Sequence, residues 1–318
     1  MTRNDKRKDA VPALMVRLVL GDAIGTAFQT VFPHFRVFLR TQGVFVLIAG
    51  ALSLATTLAA RSMMTLDDAA SDPAAILADL GPVAGVALLL GVASMLVSLA
   101  GWAVGVNVAD GLLAGRELDL QTAWGLARPR YGNLLLTTLL VGLAAIGVLA
   151  AAVGAGFGLA LAFGFDLVTA DRPALAVLAL GALVGVVLVL VLVLRWSVAS
   201  VVSVLETRRV TENLVRSADV TRHSLVMIFL TFFVLFVIVG FGSLIVTAPF
   251  VMPSMVAMGT TVDPPIWTAL SQSVASTAVS LATTPLITTL TVIVYRRLTA
   301  PAVVDAPPVV PAPVPPAP

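Results

Sequence analysis

Few residues of this chain have the types and spacing that catalysis requires. The only two histidines, His34 and His223, are far apart in the sequence and show no metal-ligand spacing, and there is no cysteine. Disulfides, thiolate metal sites and a cysteine nucleophile are therefore excluded. The hydrophobic stretches contain no obvious carboxylate of the kind that relays protons in many pumps. These residues predict neither an enzyme nor a metal or cofactor site.

Hydroxyl side chains recur towards the C-terminal end at the spacing of one helix face. They follow intervals of three or four residues: Ser273, Ser276, Ser280, Thr284, Thr288 and Thr291. Pro285 lies within this run and should bend the helix, because proline removes a backbone hydrogen bond. Such a stripe could line a substrate path, or it could pack against other helices through hydroxyl hydrogen bonds. We favour packing, and the two interpretations predict different functions.

Arginines collect in the segments between the hydrophobic stretches. Candidate contacts for anionic lipid headgroups are Arg128, Arg130, Arg222, Arg296 and Arg297. A positive charge near an anionic membrane surface contributes about 1 kcal/mol of attraction. The formal net charge of +2 is too small to indicate a nucleic-acid partner. We therefore expect membrane lipids as partners, and the sequence identifies no protein partner.

Glu206 ends a long apolar stretch and is followed by a polar segment. We predict a structural ion pair that attaches this segment to the preceding span, formed by Glu206 with Arg195, Arg209 and Arg216. A partly buried charge that loses its partner costs several kcal/mol, whereas an exposed pair contributes under about 1 kcal/mol. Burial therefore decides how much this pair stabilises the protein.

The composition indicates the environment of these residues. Hydrophobic residues make up 59% of the 318 positions and charged residues only 11%, compared with about 25% charged residues in soluble domains. A soluble protein of this composition would expose large apolar patches to water. A lipid bilayer removes that cost, so the sequence predicts an integral membrane protein.

Uncharged stretches of membrane-spanning length locate the helices. A helix needs about 20 apolar residues to cross the hydrocarbon core, where charges are costly. The stretches predict an all-α, polytopic transmembrane six-helix bundle with spans at about 42–60, 81–106, 133–160, 174–196, 224–248 and 266–294. Pro249 and Pro253 predict that the fifth span ends near residue 248.

Charge asymmetry predicts the orientation of the spans. Of the 19 lysines and arginines, only Arg61 and Arg172 fall in the connecting loops 61–80, 163–173 and 249–265, which together hold seven acidic residues. By the positive-inside rule these loops face outwards and both termini are cytoplasmic. We expect a multi-pass protein of the plasma membrane.

The segments outside the spans are basic, proline-rich or amphipathic. The basic segment 1–10 and the proline-rich tail 300–318 flank a membrane domain at 11–299, and the tail should be extended and disordered. Residues 107–130 and 206–222 combine an apolar and a charged face, which is typical of amphipathic helices on a membrane surface.

Two further patterns concern packing and internal symmetry. Three G-x-x-x-G pairs, which let spanning helices approach closely, are Gly101/Gly105, Gly154/Gly158 and Gly181/Gly185, and we favour packing within one chain over dimerisation.

An acid, a surface segment and an arginine also precede each outward span, about every 90 residues: Asp22 and Arg40, Asp110 and Arg130, Glu206 and Arg222. Three helical-hairpin repeats would produce this pattern, and so would chance.

Two segments resemble a known family. The first runs from Arg195-Trp196 through Val204-Leu205-Glu206 to Asn213-Leu214-Val215-Arg216-Ser217-Ala218 and Thr221-Arg222; the second is Pro285 with Val294-Tyr295-Arg296-Arg297-Leu298. They are similar to the six-span prokaryotic family named for the membrane domain of glycerophosphoryl diester phosphodiesterases. In that family a glutamate ends the fourth span and a Tyr-x-x-Leu-type segment ends the sixth. The catalytic barrel of some relatives is absent here, so the resemblance implies the six-helix layout and no hydrolysis.

The sequence leaves two leading functions. The first is a non-enzymatic inner-membrane protein that acts as a scaffold or accessory in envelope or lipid handling. The alternative is a transporter of small molecules or lipids with a passage beside the sixth span, and a membrane-embedded hydrolase ranks third. An open polar cavity would favour the transporter, whereas a fully packed bundle would favour the scaffold.

Overall fold

The fold is all-helical, as predicted. The structure is a computed structural model that describes residues 20–64, 73–163, 172–206, 208–258 and 266–300, and these ranges contain helices, turns and no strand. The predicted N-terminal segment 1–10, nearly all of the proline-rich tail and most of the acidic loop residues lie outside the described residues.

The described ranges hold eleven α-helices. In chain order they are α1 (Leu20–Val31), α2 (Phe35–Arg40), α3 (Gln42–Met64), α4 (Pro73–Leu113), α5 (Leu120–Ala127), α6 (Tyr131–Ala162), α7 (Arg172–Arg195), α8 (Ala199–Leu205), α9 (Val210–Thr221), α10 (Leu225–Met258) and α11 (Ile266–Thr299). A single 3₁₀ turn at Arg128–Arg130 joins α5 to α6.

Six of these helices are long and apolar enough to cross a membrane, namely α3, α4, α6, α7, α10 and α11. The shortest, α3, has 23 residues, which at about 1.5 Å per residue exceeds a hydrocarbon core of about 30 Å. Their positions match the six predicted spans. The protein is thus a multi-pass membrane protein.

Two span ends differ from the prediction. Helix α10 continues through Pro249 and Pro253 to Met258, so the predicted end near residue 248 is wrong. Each proline deletes one backbone donor, and spanning helices tolerate this because the local backbone and neighbouring groups satisfy the freed carbonyl. Helix α4 continues past residue 106 to Leu113, and Asp110 therefore lies in this span's last turns rather than opening a surface helix.

The connection after α4 is shorter than predicted, because α4 ends at Leu113 rather than at residue 106. Gly115 adopts a left-handed conformation (φ 72°), which lets the chain turn after α4 without the strain that a side chain would add. Asp119 then caps α5, since its carboxylate accepts a hydrogen bond from the Thr122 backbone N–H at 3.0 Å. Short helices precede each of the three hairpins α3/α4, α6/α7 and α10/α11. Two expectations stay predictions, namely that these short helices lie on a membrane surface and that the three units are repeats.

The packed core lies in one half of the bundle. Its buried apolar residues come from the ends of the helices nearest the described chain ends, for example Phe38, Val104, Val201 and Leu290. We call this side the termini end, and the side of the three hairpin connections the loop end. Helix α11 is the central element, because it packs against α1, α3, α4 and α10. Towards the loop end the helices expose many large apolar side chains, which a bilayer would cover.

One predicted glycine pair joins α3 to α4. A Cβ atom added at Gly101 would lie 2.7 Å from the Cβ of Phe45, and one at Gly105 would lie 2.4 Å from the Gln42 amide nitrogen. Real Cβ atoms do not approach other atoms so closely, so these glycines set the distance between the two helices. The packing interpretation is confirmed for this pair.

The other two glycine pairs differ from one another. Added Cβ atoms at Gly181 and Gly185 would lie 3.1 Å and 2.9 Å from atoms of α6, so this pair also packs within the chain. At Gly154 and Gly158 nothing lies within 4 Å. There the packing prediction is wrong, because Gly156, half a turn away from both, makes the contact with α7 instead.

Candidate functional site: a hydroxyl-lined cavity and an acid clasp

A cavity of about 450 Å³ lies between α3, α4 and α11. All three spans contribute polar side chains to it: Ser53, Thr57, Ser94, Ser98, Gln272, Ser273, Ser276, Thr277, Ser280 and Thr284. Apolar and small residues complete the wall, and none of the lining side chains is ionisable. We call this space the hydroxyl cavity.

The helices present these hydroxyls because of residue spacing and small contact residues. Ser53 and Thr57 on α3 are four residues apart, as are Ser94 and Ser98 on α4, and such pairs share a helix face. The backbones also come close: a Cβ atom added at Gly50 would lie 2.5 Å from the Thr277 hydroxyl of α11. Hydroxyl faces of three spans therefore meet around one space.

The predicted stripe of the sixth span divides into two parts. Ser273, Ser276, Ser280 and Thr284 line the cavity. Thr288 and Thr291, nearer the termini end, are 0% and 2% exposed and belong to the packed core. The four residues nearer the loop end thus face a space, and the last two pack in the core. Whether the stripe lines a substrate path stays a prediction.

Several lining hydroxyls already donate a hydrogen bond to a backbone carbonyl. Thr277 donates to Ser273 at 2.8 Å and Ser280 to Ser276 at 2.9 Å, one turn earlier in α11. Thr57 does the same to Ser53 at 3.0 Å, and the Ser94 hydroxyl donates across the interface to the Ala49 carbonyl at 3.2 Å. These four oxygens can still accept a hydrogen bond.

The remaining lining side chains make no hydrogen bond to the described protein. These are Ser53, Ser98, Gln272, Ser273, Ser276 and Thr284. These side chains are exposed or half-buried. They are therefore open to hydrogen bonds from water or a polar molecule in the cavity.

Beyond the cavity towards the termini end, the bundle is closed. The Thr288 hydroxyl donates to the Thr284 carbonyl at 2.8 Å, and it therefore accepts from the Gln42 amide nitrogen at 3.1 Å. This assignment orients the fully buried Gln42 amide and leaves its Oε1 without a donor among the described residues. The cavity thus ends above a buried polar layer rather than continuing through the protein.

Three acids from different parts of the chain hold the last turns of the sixth span. Consecutive residues of α11 are engaged: Tyr295 with Glu206 at 2.5 Å, Arg296 with Asp110 at 2.7 Å, and Arg297 with Asp22 at 3.0 Å. Each acid is the one that the sequence analysis placed before a repeat unit. We call this set the acid clasp, and it fixes α11 to α1, α4 and α8.

Glu206 is the most buried acid of the clasp. Its carboxylate accepts from the Tyr295 hydroxyl and from Arg208, and the Arg216 Nε lies 3.6 Å away, within salt-bridge but beyond hydrogen-bond distance. Burial opposes ionisation of Glu206, yet the hydrogen bonds from Tyr295 and Arg208 and the charges of Arg208 and Arg216 outweigh it, so its pKa falls below the ordinary value.

The structure corrects the predicted partners of Glu206. Arg216 is one, but Arg195 and Arg209 are not. The backbone N–H of Arg209 donates to the Glu212 carboxylate at 3.2 Å, which caps the start of α9. Helix α9 is attached to the fourth span by hydroxyls rather than by charge. Ser217 and Thr221 donate to the Arg195 carbonyl at 2.9 Å and 3.0 Å, satisfying a carbonyl at the end of α7.

Three of the five predicted headgroup arginines have partners inside the protein. Arg296 and Arg297 belong to the acid clasp. Arg130 donates to the carbonyls of Val204 and Leu205 at 2.5 Å and 3.1 Å, which caps the C-terminal end of α8. Only Arg128 and Arg222 are exposed and without a partner among the described residues, and their contact with lipid headgroups stays a prediction.

The sequence analysis missed half of the cavity. It singled out four lining hydroxyls of the sixth span but missed the other six polar residues: Ser53, Thr57, Ser94, Ser98, Gln272 and Thr277. The four-residue spacing within α3 and α4 was a usable signal, since isolated hydroxyl pairs in an apolar span need partners. Comparisons of the chain with models of protein families, with curated proteins and with solved structures found no match, so the function must be argued from these residues.

Proposed function

We propose that this multi-pass membrane protein takes up a small polar solute in the hydroxyl cavity and moves it across the membrane. The observation that carries the proposal is the set of unpaired hydroxyls that faces one space inside the spanning segments. A fully packed bundle would have favoured a scaffold, and at this position the bundle is not packed.

The energetics of the membrane interior support a polar occupant. Hydrogen bonds between spanning helices stabilise a bundle by only about 0.6 kcal/mol on average. Folding alone therefore gives little reason to place ten polar side chains around one cavity and leave six without a partner. Water or a solute in the cavity supplies those partners.

The asymmetry of the bundle supports a carrier rather than a continuous pore. The cavity lies towards the loop end, while Gln42 and Thr288 and the core beneath them close the termini end. A carrier in one of its two access states has this form, with the solute site exposed to one side. The acid clasp would then have to loosen for the other state to form.

The remaining sequence-based expectations belong to the same proposal. A non-enzymatic role stays part of the proposal; the cavity lining has no ionisable side chain of the kind that general acid–base chemistry uses. Plasma-membrane location, cytoplasmic termini and membership of the six-span family named above rest on charge asymmetry and on the quoted motifs. A scaffold in envelope or lipid handling is the competing function.

Cysteine accessibility separates the two functions, and the chain offers a clean background because it has no cysteine. Single cysteines at Ser273, Ser276, Ser280 and Thr284 should react in intact membranes with the small neutral reagent hydroxyethyl methanethiosulfonate. Cysteines at Leu281 and Ile287, which do not line the cavity, and at the buried Thr288 should react at least tenfold more slowly. Equal slow reaction at all positions would favour the scaffold.

A further inference from the structure

We infer that the solute of the hydroxyl cavity is uncharged and carries several hydrogen-bond donors, as a small polyol or a primary amide does. The inference rests on the proposed function, since it assigns a substrate class to the same cavity. It depends on two features of the lining, namely its charge and its balance of donors and acceptors.

The lining argues against an ion. It contains no carboxylate, arginine, lysine or histidine. A charged solute inside a membrane protein is stabilised by a group of opposite charge or by converging helix ends. The lining residues of α3, α4 and α11 come from the interior of these helices, where the backbone N–H and carbonyl groups are engaged within the helix except at the one hydrogen bond that Pro285 removes. An uncharged solute has no such requirement.

The hydrogen-bonding balance argues for a donor. Thr57, Ser94, Thr277 and Ser280 have given their only proton to a carbonyl, so they offer lone pairs and nothing else. Five further hydroxyls and the Gln272 amide can either donate or accept. Summed over the lining, acceptors exceed donors. A solute with several O–H or N–H groups can donate to the four oxygens that can only accept, whereas an ether or a tertiary amine has no donor for them.

The size of the cavity fits this class. Its volume of about 450 Å³ lies within the usual range for small-molecule sites, and it equals the liquid volume of on the order of fifteen water molecules. A polyol of four or five carbons fills part of that space and displaces several waters. Because its hydroxyls can replace the hydrogen bonds of those waters, the exchange costs little.

A protection experiment tests the inference on the full chain in membranes. Erythritol should slow the labelling of the Ser276→Cys variant by hydroxyethyl methanethiosulfonate at least threefold. The ether 1,2-dimethoxyethane, of similar size but without donors, should not, and neither should choline or sulfate at the same osmolarity. Ser98→Cys, on the opposite wall, repeats the test if Ser276→Cys does not fold.

The outcomes separate the two proposals. If neither cysteine reacts with the reagent, the cavity is not accessible and both proposals fail. If they react but erythritol gives no protection, or dimethoxyethane, choline or sulfate protects equally well, the solute class is wrong while the accessible cavity stands. Protection by erythritol alone supports both.

A flux measurement provides the second readout. Proteoliposomes with the wild-type chain should admit erythritol at least fivefold faster than protein-free vesicles after an osmotic step. Ser276→Leu, which fills the cavity, should abolish this increase. Ala278→Leu makes a similar enlargement on an exposed face of α11 outside the cavity and should keep it. Equal flux through the two variants would overturn the inference.

Discussion

Glu206 shows how one side chain can connect three elements. It follows α8, pairs with Arg208 and Arg216 around the start of α9, and accepts a hydrogen bond from Tyr295 of α11. The side chain is only 18% exposed, so its charge depends on these partners. Charge-assisted hydrogen bonds of this kind are roughly twice as strong as neutral ones. The residue therefore matters more for stability than its place in a surface connection suggests.

Replacing this carboxylate should destabilise the protein measurably. Glu206→Gln removes the charge and should cost about 1–3 kcal/mol, because it weakens bonds to two arginines and a tyrosine. Glu212→Gln is the matched control, since Glu212 is exposed and its amide replacement can still accept from the Arg209 N–H. Melting temperatures in detergent measure both. A decrease for Glu206→Gln no larger than that for Glu212→Gln would contradict the structural role.

The same residue predicts a pH dependence. The pKa of Glu206 is lower in the folded protein than its ordinary value, so its contribution is complete above the ordinary carboxyl pKa. The contribution is lost as the pH falls through the lower folded pKa. The difference in melting temperature between wild type and Glu206→Gln should be constant near neutral pH and shrink below about pH 4. A difference that stays constant down to pH 3 would contradict the assigned pKa shift.

Sequence reasoning identified Glu206 but only one of its partners. The three predicted arginines were chosen by proximity along the chain, and one of them is correct. Tyr295 lies 89 residues away, and only the packing of α11 against α8 brings it to the carboxylate. Partners so far apart in the sequence are brought together by tertiary packing, which cannot be deduced from a single sequence. The quoted motifs included both residues but gave no reason to join them.

At the level of helices, glycines set the distance between two pairs of neighbouring spans. Gly101 and Gly105 bring α4 onto α3 at the wall and floor of the hydroxyl cavity. The sequence shows all three G-x-x-x-G pairs equally well, yet only two of them make close contacts. Which face of a spanning helix meets its neighbour is decided by the whole bundle, and this is why the pair in α6 was assigned wrongly.

An alanine scan of these glycines should reproduce the difference. Gly101→Ala places a methyl group 2.7 Å from the Phe45 Cβ, an atom that cannot move without its backbone, and should cost about 1–3 kcal/mol. Gly154→Ala meets nothing within 4 Å and should be neutral or stabilise the helix by up to about 1 kcal/mol. Melting temperatures of the two variants test this, and equal changes would show that the α3/α4 contact is misplaced.

At the scale of the molecule, much of the architecture follows from composition and charge. Uncharged stretches located all six spans, because the bilayer penalises charges in its hydrocarbon core wherever they occur. Composition and charge did not predict the division of the bundle into a packed termini end and a hydroxyl cavity. It depends on which helix becomes central, and α11 is central because its termini end binds three acids from distant parts of the chain. The hydropathy of α11 alone does not predict that role.

Charge asymmetry predicts the orientation of the whole molecule in the membrane. Only two of 19 basic residues lie in the connecting loops, so the termini end, with the acid clasp, should face the cytoplasm and the hydroxyl cavity should open outwards. Single cysteines at Ser71 and Asp263 should react with a membrane-impermeant thiol reagent added to intact cells. A cysteine at Thr211, exposed at the start of α9, should react only after the cells are permeabilised. Labelling of Thr211→Cys alone in intact cells would invert the topology, and the cavity would then open to the cytoplasm.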